Sequence, residues 1–97
     1  METCKALRDF YSVIADNARI GASHISVYVA LLTRARDSPD GNVVMIMIHR
    51  IEIIKIAKVS RRTYNKCMRD LEESGYIKYE PSSDPATLSK VWLNKLL

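Results

Sequence analysis

Between Ser60 and Gly75 the chain reads as one helix that can face only one way. Tyr64, Cys67, Met68 and Leu71 recur at i, i+3, i+4 and i+7, a single apolar stripe. Ser60 precedes it as an N-cap whose hydroxyl can accept an early helical N–H. Gly75 follows it where a left-handed C′ residue is wanted. Burial of each larger stripe member contributes about 1.5–3 kcal/mol, enough to set the orientation. Arg61, Arg62, Asn65, Lys66 and Arg69 are then forced outward, and four of them, Arg62, Asn65, Lys66 and Arg69, repeat the same spacing on the opposite side. These residue types donate to phosphates and to base edges. The plain alternative is a solvated helix face.

The distribution of charge argues for more than solvation. Seven basic residues (Arg50, Lys55, Lys58, Arg61, Arg62, Lys66 and Arg69) stand against Glu52 alone between positions 50 and 69, a local net charge of +6. Residues 1–49 are neutral, with five bases and five acids, and residues 70–97 carry three bases against five acids. The overall +4 is therefore one concentrated positive field, suited to a polyanionic partner. The segment from Arg50 to Lys58 predicts a shorter helix, with Ile51, Ile54 and Ala57 available for packing. Val59 and Ser60 then form a tight turn. A bracing helix followed by a presented helix is helix-turn-helix logic, the second element entering a major groove.

The flanks are less charged. Leu7, Phe10, Tyr11 and Ile14 predict a first helix over 5–16, interrupted from Asn17 to Gly21. Ser23 can cap a second helix running to about Ala35, its core face Ile25, Tyr28, Val29 and Leu32. Val27 and Leu31 lie off that stripe, so this helix is apolar over more than half its circumference. It is expected to be central in the fold or to cover a partner, a second copy of the chain being one. Asp37 to Asn42 is turn-rich and predicts a loop. Val43 to Ile48, β-branched at four of six positions, predicts a strand. Met45 and Met47 are expected to fill gaps in the core rather than to bind a soft metal. Tyr76 to Glu80 alternates as a strand, Pro81 to Ser89 is a polar loop with an Asp84-Pro85 turn signal, and Lys90 to Asn94 is a second strand. The two make a hairpin over 76–94, with Ser82, Ser83, Thr87, Ser89 and Lys90 able to touch phosphates or to serve only as loop.

Ninety-seven residues suffice for one small domain around one core. No apolar run reaches the roughly 18–20 residues that span a bilayer, and METCKALRDFY lacks the apolar core of a signal peptide. Cys4 is expected to be a free thiol and Cys67 a small buried hydrophobe. Both suit a reduced, cytoplasmic setting.

Ile54 to Ala57, Ser60-Arg-Arg-Thr-Tyr64 and Leu71-Glu-Glu-Ser-Gly-Tyr-Ile77 together resemble the winged helix-turn-helix of bacterial transcriptional regulators and of plasmid or phage replication proteins. With the helices before and KVWL after, the resemblance covers essentially the whole chain. The stretch FYSVIADNARIGASHISVYVALL looks like regulators carried on mobile elements of gut-type bacteria. Two positions depart from the pattern. The inter-helix turn has Lys58-Val59 where a glycine is usual, and the bracing helix opens at His49-Arg50 without a strong cap. The implied fold is mainly α with a small β-sheet: two N-terminal helices, a short strand, a bracing helix, a recognition helix and a β-hairpin wing.

That resemblance implies sequence-specific binding of double-stranded DNA in transcription regulation, on the nucleoid. Arg61, Arg62, Asn65, Lys66 and Arg69 would lie in the major groove or on its flanking phosphates, with Ser60 and Thr63 at the helix start. Lys55 and Lys58 would touch the backbone from the bracing side, Lys78 and Lys90 from the wing. The N-terminal helices are a candidate homodimer interface. A second reading is a protein-interaction module in a replication or conjugation assembly, with the Val27/Leu31 flank as its exposed apolar patch. Catalysis lacks ingredients: His24 and His49 have no metal-type spacing to other ligands, and Ser and Cys lack a His–Asp arrangement. There is no glycine-rich phosphate loop, and adjacent Glu72 and Glu73 point apart on a helix, as a solvated helix end. No cofactor, metal, membrane or small-molecule ligand is expected.

Overall fold

A computed structural model describes residues 3–35, 44–84 and 86–96. The loop expected from Asp37 to Asn42, Val43 and the Pro85 half of the turn signal lie outside the described residues. The order is α1 (Thr3–Ile14), α2 (Ala22–Leu32), β1 (Val44–Ile48), α3 (Arg50–Ala57), α4 (Arg61–Glu73), β2 (Ile77–Glu80) and β3 (Ser89–Leu93). The chain is mainly helical with a small antiparallel sheet of order β1-β3-β2. Its last strand therefore lies between the other two. Ile46 pairs with Val91, and Ile77 with Leu93. Strand alternation turns Ile46, Ile48, Ile77, Val91 and Leu93 inward, toward the helices.

Helix faces are where the structure departs most from the sequence expectations. On α1 the buried residues are Ala6, Phe10 and Ile14, while Tyr11 is 50% exposed. The helix is rotated because Phe10 stacks on Tyr28 at 3.8 Å between centroids and meets Tyr76 edge-on at 5.7 Å. Small Ala6 lets that face approach. On α2, Val27 and Leu31 are fully buried and Val29 is 37% exposed, so the expected exposed flank is core. The helix lies against both α3 and α4, which leaves it no wide free side. It begins two residues early, capped at Gly21 rather than Ser23, because the Gly21 N–H donates to Nδ1 of His24 (3.0 Å). On α3, Ile53 and Ala57 are buried and Ile51 is 52% exposed. Ser26 of α2 donates its hydroxyl to the Ala57 carbonyl and so holds the end of that short helix.

Met45 and Met47, expected in the core, are exposed on the outer side of β1, since Ile46 and Ile48 take the inward positions. Ser89 is buried and accepts the Ser82 N–H (3.0 Å), which removes it from the residues able to touch a phosphate.

The two turns that frame α4 are well defined. Lys58 adopts the left-handed conformation (φ 60°, ψ 43°) that a glycine would otherwise supply, its N–H reaching the Ile54 carbonyl at 3.0 Å. Gly75 has φ +83°. The N–H groups of Gly75 and Tyr76 reach the carbonyls of Glu72 and Leu71, both at 3.0 Å, the pairing of a Schellman cap.

Candidate nucleic-acid interface

The interface is built on α4, whose start, inward face and end are each held. The Ser60 hydroxyl oxygen accepts the Thr63 N–H (3.1 Å), as a cap should, and its own proton goes to the Thr63 hydroxyl (3.0 Å). Ser60 and Thr63 thus satisfy each other and fix the first turn. Inward, Tyr64, Cys67, Met68 and Leu71 are all buried, as the stripe requires. Tyr64 donates its hydroxyl to that of Tyr79 (3.1 Å), which ties α4 to β2. Burial, with that hydrogen bond second, raises the Tyr64 phenol well above its ordinary pKa. Burial likewise raises the Cys67 thiol, so it stays protonated and unreactive near neutrality.

The outward face gathers Arg61, Arg62, Asn65, Lys66 and Arg69 around one open groove. All five are exposed. Arg61, Arg62, Asn65 and Arg69 have no side-chain partner among the described residues. Lys66 is different, because its Nζ donates to Oδ2 of Asp70 at 2.9 Å.

Asp70 is the residue that sequence reasoning missed. It is buried, and three donors converge on it: Lys66, Nε2 of His24 at 2.8 Å, and Nη2 of Arg19 at 2.8 Å. Lys66 and then His24 hold its carboxyl far below the usual carboxylate range. Nδ1 of His24 accepts from Gly21, so Nε2 carries the proton that meets Asp70. Arg19 also bonds Glu73 (2.6 Å), and with Asp70 second this raises its already high pKa. The i,i+4 spacing of Lys66 and Asp70 was a legible signal. Nothing local announces Arg19 or His24, which lie 51 and 46 positions away from Asp70.

Glu72 and Glu73 are anchored rather than simply solvated: Glu72 accepts the Tyr79 N–H at 2.8 Å, and Glu73 holds Arg19. All three acids of α4 therefore have partners within the protein: Asp70 and Glu73 meet cations, and Glu72 meets a backbone N–H.

The other expected contacts are not brought to this groove. Lys55 borders a separate shallow depression with His49, Ile51 and Glu52. Lys58 is exposed in the inter-helix turn. Lys78 and Lys90 point outward from the sheet, away from the side that faces the helices. Lys78 lies over the Trp92 ring at 5.1 Å, while Lys90 is flanked across the strands by Met47 and Glu80. Arg50, half-buried, donates to the Ser82 carbonyl (3.3 Å) and so braces the hairpin loop against α3. Part of the +6 segment is thus spent internally.

Among the described residues no three His, Cys, Asp or Glu side chains gather as a metal site, and no helix is long and apolar enough to cross a membrane. Compared with known proteins, the chain matches no family model, and no curated protein or solved structure matches it.

Proposed function

We propose that this chain is a winged helix-turn-helix protein that binds double-stranded DNA sequence-specifically and regulates transcription, in keeping with the mobile-element regulators that its sequence resembles. One observation carries the reading. The outward face of α4 presents unpaired guanidinium and amide donors along a single open groove, while every acid of that helix is turned to internal partners. A helix of 13 residues with free donors on one side is of a size and chemistry to enter a major groove. The element order and the β1-β3-β2 sheet support the winged arrangement, with α3 as the bracing helix and the β2–β3 hairpin as the wing. Lys55 and Lys58 serve the flanking backbone in this reading, and Lys90 and Lys78 serve it from the hairpin. Pairing of two copies through the N-terminal helices would use the exposed Tyr11 and Val29.

The test is anisotropy binding to random-sequence duplex across a salt series. Each phosphate neutralised adds about −0.9 to the slope of log K against log[salt]. Lys55→Ala, at a residue that serves the flanking backbone in this reading, is expected to shallow that slope by about one contact's worth. A duplex that shows no salt-dependent binding at low ionic strength would sink the reading.

A second reading, a protein-interaction module, is favoured by a different surface. Met45 and Met47 stand exposed beside half-buried Trp92 on the outer sheet face. Binding that survives high salt and is lost in Met45→Asp/Met47→Asp would support it.

A further inference from the structure

Given the DNA-binding reading above, on which this step rests, we infer that Arg62, Asn65 and Arg69 are the base-reading residues, that Lys66 is not one of them, and that the preferred duplex carries guanine, adenine and guanine in that order within four base pairs of one strand.

The argument starts from which donors are unspent. Arg62, Asn65 and Arg69 share the outward face at i, i+3 and i+7, border the same groove, and have no side-chain partner among the described residues. Lys66 occupies the same face, but its ammonium sits on the Asp70 carboxylate at 2.9 Å. That carboxylate is itself buried and held in place by His24 and Arg19, so it cannot swing away to follow the lysine. Lys66 is exposed and keeps donors beside that contact, but its ammonium is drawn back along the helix to Asp70, so it reaches outward to a base edge less freely than the three unpaired side chains. Asp70 and Lys66 therefore position α4, and the reading falls to the three unpaired side chains.

Their chemistry then names the bases. A guanidinium fork matches O6 and N7 of guanine, and a carboxamide matches N6 and N7 of adenine. At about 1.5 Å rise per residue, the seven positions from Arg62 to Arg69 cover roughly 10 Å. At about 3.4 Å per base pair this is three steps, hence four pairs. Asn65 lies between the two arginines and takes an inner position. Arg61, about 100° around the helix from Arg62, is left to the sugar–phosphate edge.

The experiment is selection of bound sites from a random duplex pool by the full chain, followed by affinities for the enriched site. Arg62→Ala, Asn65→Ala, Arg69→Ala and Lys66→Gln are compared, each checked for folding by circular dichroism. The expected motif has the two guanines and the inner adenine. Each alanine variant loses preference at one different position and loses about 5- to 150-fold in affinity for the site. Lys66→Gln keeps the motif, with less than about a twofold change in preference at any position. Relaxation of a base position by Lys66→Gln, or guanines indifferent to Arg62 and Arg69, overturns the assignment while sequence-specific binding stands. Salt-dependent binding with no enriched motif also overturns it, and shows a helix that touches only the backbone. Absence of any duplex binding removes the parent reading along with it.

Discussion

Asp70 shows how much one side chain can decide. Its carboxylate is buried, yet it receives an ammonium, an imidazole N–H and a guanidinium. The carboxylate is buried, but Lys66 and Arg19 are more than half exposed, so water screens much of what its removal leaves behind. Asp70→Asn is expected to lower stability at pH 7 by about 1–2 kcal/mol. The sign of the pH dependence follows from the lowered pKa. The folded state favours the ionised carboxylate, so its contribution is full above the unfolded value of about 4 and is lost as pH falls through the lower folded value. Urea melts at pH 7 and pH 3 check this: the gap between wild type and Asp70→Asn should narrow in acid. An unchanged gap would mean that the carboxylate charge is not what holds the cluster.

At the scale of elements, the α3–α4 turn answers a question that the sequence raised. The proteins that the sequence resembles usually have a glycine there, and Lys58 instead takes φ 60° itself. A left-handed non-glycine residue costs about 1–2 kcal/mol, partly offset by the roughly 0.5–1 kcal/mol of chain entropy that glycine forfeits. Lys58→Gly is therefore expected to stabilise the protein by about 0.5–1 kcal/mol, a rise of several degrees in Tm for a chain of this size. If Lys58 also touches DNA backbone, the same variant binds every sequence more weakly by a similar factor. Thermal melts and anisotropy on one sample separate the two effects. The turn's strain would then be retained for its charge.

Across the whole molecule, an aromatic stack at Phe10 joins the N-terminal helix to the rest, with Ala6 and Ile14 buried on the same face. Phe10 lies flat on Tyr28 with its edge toward Tyr76, which brings α1, α2 and the approach to β2 together. Burial raises the Tyr28 phenol to about 12, so the stack stays uncharged at any physiological pH. Phe10→Ala is expected to cost about 3–5 kcal/mol, a large share of the about 5–15 kcal/mol that keeps an ordinary domain folded. Denaturant unfolding checks the loss. A drop below about 1 kcal/mol would show that α1 docks by other means.

Local patterns in the sequence determined the order of elements, the bounds of α4, its cap at Ser60, its turn at Gly75 and its inward and outward faces. Each of these depends on residues within a turn or two of one another, where periodicity and capping chemistry act directly. The faces of α2 and α3 were not legible in the same way, and that of α1 only in part. α2 and α3 are apolar on more than one side, and only the neighbours that arrive from elsewhere choose among the sides, whereas α1 kept Phe10 and Ile14 of its expected stripe inward and turned Tyr11 out. Phe10 finds Tyr28, α3 and α4 close over Val27 and Leu31, and Ile46 sends Met45 and Met47 to solvent. The Asp70 cluster belongs to the same category. Its Lys66–Asp70 pair is an i,i+4 spacing within α4, but Arg19 from the α1–α2 connection and His24 from α2 are brought into hydrogen-bond range by packing that no short spacing encodes. The sequence alone thus determined which helix carries the free positive charge. Tertiary structure decided how firmly one of those charges is held, because packing buried the Asp70 carboxylate beside Lys66 and fixed it with His24 and Arg19.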